Sequence, residues 1–513
     1  MHRVVPSNYW GKIQSEVGSF NKKEVDLEVG TKLTDKLKTT VNYGDENIKG
    51  YRDGEKKREY NLEIETEYDI EDGEVAVEYS KEHEYKSKVG SLTKKQYESD
   101  RRQNKYKGRR IEDTEEKYKL RYDKEWSKNF SSLGSVEYNK EYYEYRYPKD
   151  GKTPPFKRKD KDSKNILLNQ EVTYKYGDRK KITFGVDYSQ SKLKKNSFKA
   201  SSHHKIYKSS FVDTKYYAVG GYVENEFGVR DFLFSQRLNV EKNNFKGRVT
   251  RYYTSGRIKS NVKEKYDPTD VDLQLGGKYY FDEDNFVFVN FNHLERSPSV
   301  SEYSSWDSDM SPDKKIEKMQ KLEIGNEYSS KKILVKTSVY FSQTKNEIVF
   351  DSGREDKLGS YYNLDGKSQK AGVEVESKQY LDKFTFREKI SYTCDKIVSG
   401  MYKGKKMPDV PRYVTEIGLS YEIVEDLVFD IENKYYGRHY FANDFKNEHG
   451  KTQSYAITNV SLEYEIKKGV SLYGGIDNIF GKKYYNYAYL SDDVEKFYSA
   501  PERTYYVGMK VEL

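Results

Sequence analysis

Leu62-Glu63-Ile64-Glu65-Thr66-Glu67-Tyr68-Asp69-Ile70-Glu71-Asp72-Gly73-Glu74-Val75-Ala76-Val77-Glu78-Tyr79 is the stretch that decides the fold. Leu62, Ile64, Tyr68 and Ile70 alternate with polar residues, Glu71-Asp72-Gly73 interrupts, and Val75, Val77 and Tyr79 resume the alternation. Side chains alternate across a β-strand, so this reads as an antiparallel hairpin with one apolar face and one wet face.

The same device recurs along the chain. Val25, Leu27, Val29 and Leu33 lead into Thr34-Asp35-Lys36, and Leu37, Val41 and Tyr43 follow. Further turns lie at Ser127-Lys128-Asn129, Gly177 to Lys180, Gly228 to Asp231, Asp282 to Asn285 and Ser329 to Lys332. The last three lie at Asp382-Lys383, Val424-Glu425-Asp426 and Lys467-Lys468-Gly469. The turns recur at roughly 40–55 residue intervals, a long-period repeat. Between them lie longer polar stretches, Lys81 to Glu116, Glu144 to Asn165, Gln190 to Lys215 and Glu241 to Thr269, which read as loops. Short turns at one end and long loops at the other describe an all-β transmembrane antiparallel barrel. Ten turns join twenty strands. One more strand (about Trp10 to Val17) precedes them through Gly18-Ser19-Phe20-Asn21, and a last one alternates through Tyr505, Val507, Met509, Val511 and Leu513. The expected count is about 22, an even number that lets the sheet close, as lipid requires. Tyr-rich strand ends such as Tyr142-Tyr143, Tyr279-Tyr280, Tyr361-Tyr362, Tyr435-Tyr436 and Tyr484-Tyr485 are expected to form interfacial girdles.

The composition fits this architecture. Of 513 residues, 35% are apolar and 34% charged, and the mean hydropathy is -1.03, values that alone suggest a solvated or disordered chain. Yet 15% are aromatic, with 51 Tyr, and only 10 are Pro. A barrel reconciles the two, since only a thin outer band must be apolar. The net charge of +8 arises from 92 basic and 84 acidic residues, a balanced mixture that points to solvated surface and not to a nucleic-acid partner. Cys394 is the sole cysteine, so neither an intrachain disulfide nor a cysteine metal site is expected. No run approaches the roughly 18 apolar residues of a membrane-spanning helix. A soluble propeller or solenoid would show blade motifs or shorter, more uniform repeats.

Several segments resemble the TonB-dependent receptor family of outer-membrane transporters. Ala500-Pro501-Glu502-Arg503-Thr504-Tyr505-Tyr506-Val507-Gly508-Met509 is similar to the family's last strand and its "PxR" lead-in. Gly474-Gly475-Ile476-Asp477-Asn478-Ile479-Phe480-Gly481-Lys482-Lys483-Tyr484 resembles its "v-x-N-l-f-d-k-x-Y" segment. Asn363, Gly366 and Gly372-Val373-Glu374-Val375-Glu376 resemble "N-x-g…GvE-x-e", and Pro408 with Val410-Pro411-Arg412 resembles "iP-x-vPr". Arg296-Ser297-Pro298-Ser299-Val300-Ser301-Glu302-Tyr303, then Leu322-Glu323-Ile324-Gly325, look like "fRaPs-x-x-E-y…E-x-G". Gly18-Ser19-Phe20 resembles the hairpin that follows the family's plug domain. The resemblance implies a barrel over residues 10–513 in the outer membrane of a Gram-negative-type cell, in contact with outer-membrane lipid and expected as a single copy. It makes residues 1–9 a residual linker from a plug domain and TonB box that lie outside this sequence. Coupling to the TonB complex would run through that missing region. The apolar signal that export requires does not open at Met1 to Ser7, and it too would precede these residues.

No enzyme is expected: the chain has no P-loop, serine nucleophile elbow, HExxH or CxxC, and no catalytic residue, cofactor or resident metal is assigned. The family's work implies that loops and lumen bind a small nutrient, foremost a ferric siderophore, for TonB-coupled import. Aromatic faces and cationic side chains would receive an anionic chelate. The candidates are Arg296, Tyr303 and Trp306 in one loop, Tyr361 and Tyr362 in another, and Arg438, His439, Tyr440 and Phe441 in a third. Haem would want an axial imidazole, and His203-His204 lies in a polar stretch that could offer one. In haem receptors the "fRaP" and "NPdL" boxes flank a functional His. Residues Arg296 to Asp313 contain none, which lowers the haem reading, and His293 precedes them on a strand facing lumen or lipid. Cobalamin uptake, a plugless passive pore and an adhesin-like barrel are the competing readings.

Overall fold

The computed structural model describes residues 8–104, 106–147, 157–200, 206–303, 314–350 and 361–513. One antiparallel sheet of 23 strands runs through them and closes on itself. Strand Tyr9–Gly18 pairs with Lys22–Thr34 on one side and with Thr504–Glu512 on the other. Two of the 23 are halves of a single stave. Ile258–Tyr266 lies against the upper residues of Phe232–Tyr252, and Thr269–Tyr280 against its lower ones. The break falls at Asp267-Pro268, where proline has no N–H to give the ladder; the Pro268 carbonyl still accepts from the Asn243 N–H at 2.9 Å. The barrel therefore has 22 staves, as the turn count predicts.

All ten tight turns form where the alternation places them. Asp72, Asp382 and Asp426 sit in them at positive φ, a conformation short polar side chains tolerate, and Gly469 fills the same role. The chain enters and leaves at this turn end, where the Leu513 N–H donates to the Gly11 carbonyl at 2.8 Å.

The apolar positions face outward. Phe184 and Val186 are half-exposed, and the register partners of Phe184, Val172 and Val223, share that face. Facing the other way are charged pairs: Lys117 with Glu78, and Arg121 with Glu65, Glu67 and Glu74. Greasy outside and wet inside is the only arrangement that lets so polar a chain span lipid.

The polar stretches read as loops are largely strand. Strands Phe130–Tyr147, Lys157–Gly177, Lys180–Ala200, Ile206–Val229 and Phe232–Tyr252 run through most of them. The longest has 24 residues, roughly 80 Å of chain at about 3.3 Å per residue, against an apolar band about 25 Å tall. Above the lipid both faces meet water, so the ladder persists while the hydrophobic alternation lapses. The girdle expectation is corrected in the same way. Adjacent tyrosines point to opposite faces, so Tyr279 faces out beside Phe232, whereas Tyr280 faces in beside Phe286. The Tyr79–Tyr118–Tyr138 stack, with centroids 5.1 and 6.3 Å apart, is an outward aromatic row on the loop side.

Candidate functional site

At the loop end, the inner wall carries an unusual row. Glu16, Glu24, Glu46, Glu59, Glu84 and Asp113 are directly opposed partners on six consecutive strands. Like charges directly opposite repel, so the row needs cations. Lys22 lies 2.7 and 2.6 Å from Glu16 and Glu24, and Lys57 lies 2.7 and 2.8 Å from Glu46 and Glu59. Lys86 pairs with Glu84. Asp113 ends the row, and its Oδ1 has no hydrogen-bond partner among the described residues.

Burial and the neighbouring Glu141 push the Asp113 carboxyl up to about 6, with Lys161 opposing. The unfolded value is near 3.8, so between about pH 4 and 6 the folded state holds a proton that the unfolded state has lost. Stability then falls as pH rises through this window, and the cost stays in full above it. Asp113→Asn should raise neutral-pH stability by on the order of 1 kcal/mol after solvent screening. The gain should vanish near pH 4. Thermal melts of folded protein in micelles, followed by gel mobility, would check it.

Beside this row two cavities of about 440 and 490 Å³ share Asp477, Asn486, Pro501 and Thr504, and so form one cleft. One end holds Glu16, Lys22, Glu46 and Lys57. The other is walled by Tyr436, Tyr455 and Tyr484, with ring centroids 5.2 and 5.1 Å apart along the series, beside Lys434. Burial, aided by Tyr436, pushes the Tyr455 hydroxyl up to about 12, so it stays a neutral donor. Adjacency misled the sequence reading here. Tyr436 and Tyr455 are inward partners on neighbouring strands, and Tyr484 arrives from a loop.

The loops above the cleft are fused. Leu92–Thr93, Tyr485–Ser491 and Val494–Ser499 make a small three-stranded sheet. Arg101, 8% exposed, donates to the Tyr484 and Ala500 carbonyls at 2.5 and 3.0 Å and to the Tyr97 hydroxyl at 2.8 Å. Arg52 donates to the Gly90 and Gln103 carbonyls.

The sequence-selected residues fall into three groups. His203, His204 and Trp306 lie outside the described residues. Tyr303 and Phe441 are buried inside loop cores and offer no free ring face. Tyr303, 1% exposed, packs on Phe245, Val212 and Val249 of the inner wall, and Phe441 on Tyr485, Ala488, Leu490 and Phe497. Both readings are corrected by the same physics, because long loops need apolar anchors of their own. The rest sit at the surface but are engaged. Arg296 binds Glu302 at 2.8 Å and Glu317 at 3.4 Å. Tyr361 packs edge-on to Phe350, and Tyr362 to Phe445. Arg438 donates to the Thr452 carbonyl. His439 contacts the Gly437 carbonyl at 3.2 Å and Asp409 at 3.5 Å. Tyr440 lies under the Lys451 ammonium, 5.2 Å from the ring centre. Among the described residues, none of these side chains lines the cleft. His293 faces outward beside Glu295. Among the described residues no three His, Cys, Asp or Glu side chains are grouped to hold a metal ion.

A closed 22-strand cylinder, with a wet lumen, tight turns at one rim and fused loops over a cleft at the other, defines an outer-membrane receptor barrel. The chain belongs to the TonB dependent receptor-like, beta-barrel family, whose model matches residues 39–479. Its setting is therefore the outer membrane, and its family is one of receptors and transporters and not of enzymes. None of the curated proteins matches it in sequence. Among solved structures it is similar to the ferric yersiniabactin uptake receptor FyuA from Yersinia pestis. The identity is 15% and the TM-score 0.85, over 99% of this chain and 80% of that one. The siderophore receptor PiuA from Acinetobacter baumannii is 14% identical, with a TM-score of 0.80 over 100% and 82%. The copper transporter OprC is 16% identical, with a TM-score of 0.80 over 98% and 80%. At such identities the likeness is one of fold.

Proposed function

We propose that this barrel receives a small metal chelate of the siderophore class for TonB-coupled import, and that the tyrosine-walled cleft is where the chelate first rests. The observation that carries the reading is the convergence of Tyr436, Tyr455 and Tyr484 with Lys434 at the end of an open luminal cleft. Rings of this kind stack on aryl or planar parts of a ligand, and neutral hydroxyls donate to its oxygens. The in-register carboxylates alongside disfavour a strongly anionic chelate, so a neutral or cationic complex suits the cleft better than the anionic one expected from the sequence. The uptake receptors of like fold, for ferric yersiniabactin and for a siderophore, support the ligand class by analogy alone. Coupling would act through a plug segment ahead of Tyr9, on the turn side.

Equilibrium binding of a panel of ferric chelates of graded charge tests the proposal. Tyr455→Ala should weaken the best-bound chelate about tenfold, from the loss of one stacking contact of about 1–1.5 kcal/mol. Tyr435→Ala, on the outward face of the same hairpin, should change nothing. Equal effects of the two variants, or a preference for the most anionic chelate, would overturn it.

A further inference from the structure

The outer face carries a second like-charged row. Lys140, Lys164, Lys192, Lys215, Lys246 and Lys265 are directly opposed partners on successive staves. All six are exposed. Only the ends are tethered, Lys140 at 4.0 Å from Glu116 and Lys265 at 2.8 Å from Asp267. Lys164, Lys192, Lys215 and Lys246 have no acidic partner within 4 Å among the described residues.

The row is specific to one level of the wall. Two residues further from the membrane the same staves present Tyr142, Asp162, Lys194, Asp213, Arg248 and Lys263, a mixture of signs. Two residues nearer, they present Tyr138, Ile166, Gln190, Tyr217 and Asn244, and below these Val136, Leu168, Tyr188 and Val219, with Lys242 on the fifth stave tied to the Asp267 carbonyl at 2.5 Å. The lysines thus stand directly above the apolar band that lipid covers. Strand neighbours are about 4.8 Å apart, so four unpaired ammonium groups crowd into roughly 15 Å of wall. With staves tilted some 40°, such a row climbs only about 9 Å across its four central members. That is close to the depth of one headgroup layer, roughly 5–8 Å. Cross-strand repulsion makes the row unfavourable unless anions lie between its members.

We propose that Lys164, Lys192, Lys215 and Lys246 bind the phosphate groups of anionic lipid in the outer leaflet, so that the barrel carries a shell of phosphorylated lipid on this side. The surface is continuous with the lipid-covered band, its charge is complementary, and a row of point charges suits several phosphates better than one.

The test uses the full chain refolded into phosphatidylcholine vesicles with or without lipid A, extracted mildly, and assayed for co-purifying lipid. A quadruple Lys164→Gln, Lys192→Gln, Lys215→Gln and Lys246→Gln variant should lose lipid A retention about tenfold or more, whereas the matching quadruple Arg variant should keep it. Gel mobility of the folded form shows that each variant has closed its barrel. Dephosphorylated lipid A should not be retained, and inorganic phosphate should not displace the lipid. Unchanged retention by the Gln variant, equal retention of the dephosphorylated lipid, or displacement by free phosphate would each overturn the proposal.

Discussion

Phe184→Arg should cost the folded barrel roughly 2–4 kcal/mol, because it places a guanidinium near the bilayer midplane. Phe184 is 52% exposed in the protein alone and lies between Val172 and Val223 on the outward face. It stands four residues above the Lys180 end of its strand, about halfway up the apolar band. In lipid that exposure becomes burial in hydrocarbon. The folded-to-unfolded ratio in urea titrations of vesicle-inserted protein should fall by about one and a half to three orders of magnitude at fixed urea. Ser135 lies at a similar height but lines a luminal cavity, so Ser135→Arg should cost little. The pair tests the assignment of faces. If the luminal arginine were the damaging one, the alternation would be inverted and the membrane reading would fail.

Arg101→Ala should release the loop cap while leaving the barrel intact. The guanidinium satisfies two backbone carbonyls and a tyrosine hydroxyl in a nearly buried position and lies 4.7 Å above the Tyr97 ring centre. The Ser499 hydroxyl in turn donates to the Arg101 carbonyl at 2.6 Å. Removing the side chain strands those acceptors and opens a gap, a local cost of about 3 kcal/mol. Amide exchange at residues 92–99 and 485–499 should then accelerate about a hundredfold, with the melting of the barrel unchanged. Arg101→Lys should recover only part of the protection, since an ammonium cannot reproduce the planar fork. Exchange rates equal to those of the unaltered protein would show that the cap is held by Phe441, Tyr485 and Phe497 alone.

Read alone, the sequence determined the staves, their faces and their turns. Lipid imposes a local rule on every crossing: an apolar residue at each second position and an abrupt polar stop. Leu62 to Tyr79 obeys it within eighteen residues. The rule says nothing beyond the lipid, which is why the strands from Phe130 to Tyr252 could not be followed upward by their alternation. Nor does it govern the lumen, where water accepts any side chain. The row from Glu16 to Asp113, the lysine row from Lys140 to Lys265, and the meeting of Tyr436 and Tyr455 with Tyr484 depend on the register between strands. A shift of one residue would send every one of these side chains to the opposite face. Tyr303 and Phe441 lie in loops whose apolar partners come from distant segments, so their burial became visible only once the cylinder had closed. Tertiary structure decided which charges and rings became neighbours, because closure joins residues hundreds of positions apart and no periodicity along the chain encodes that distance.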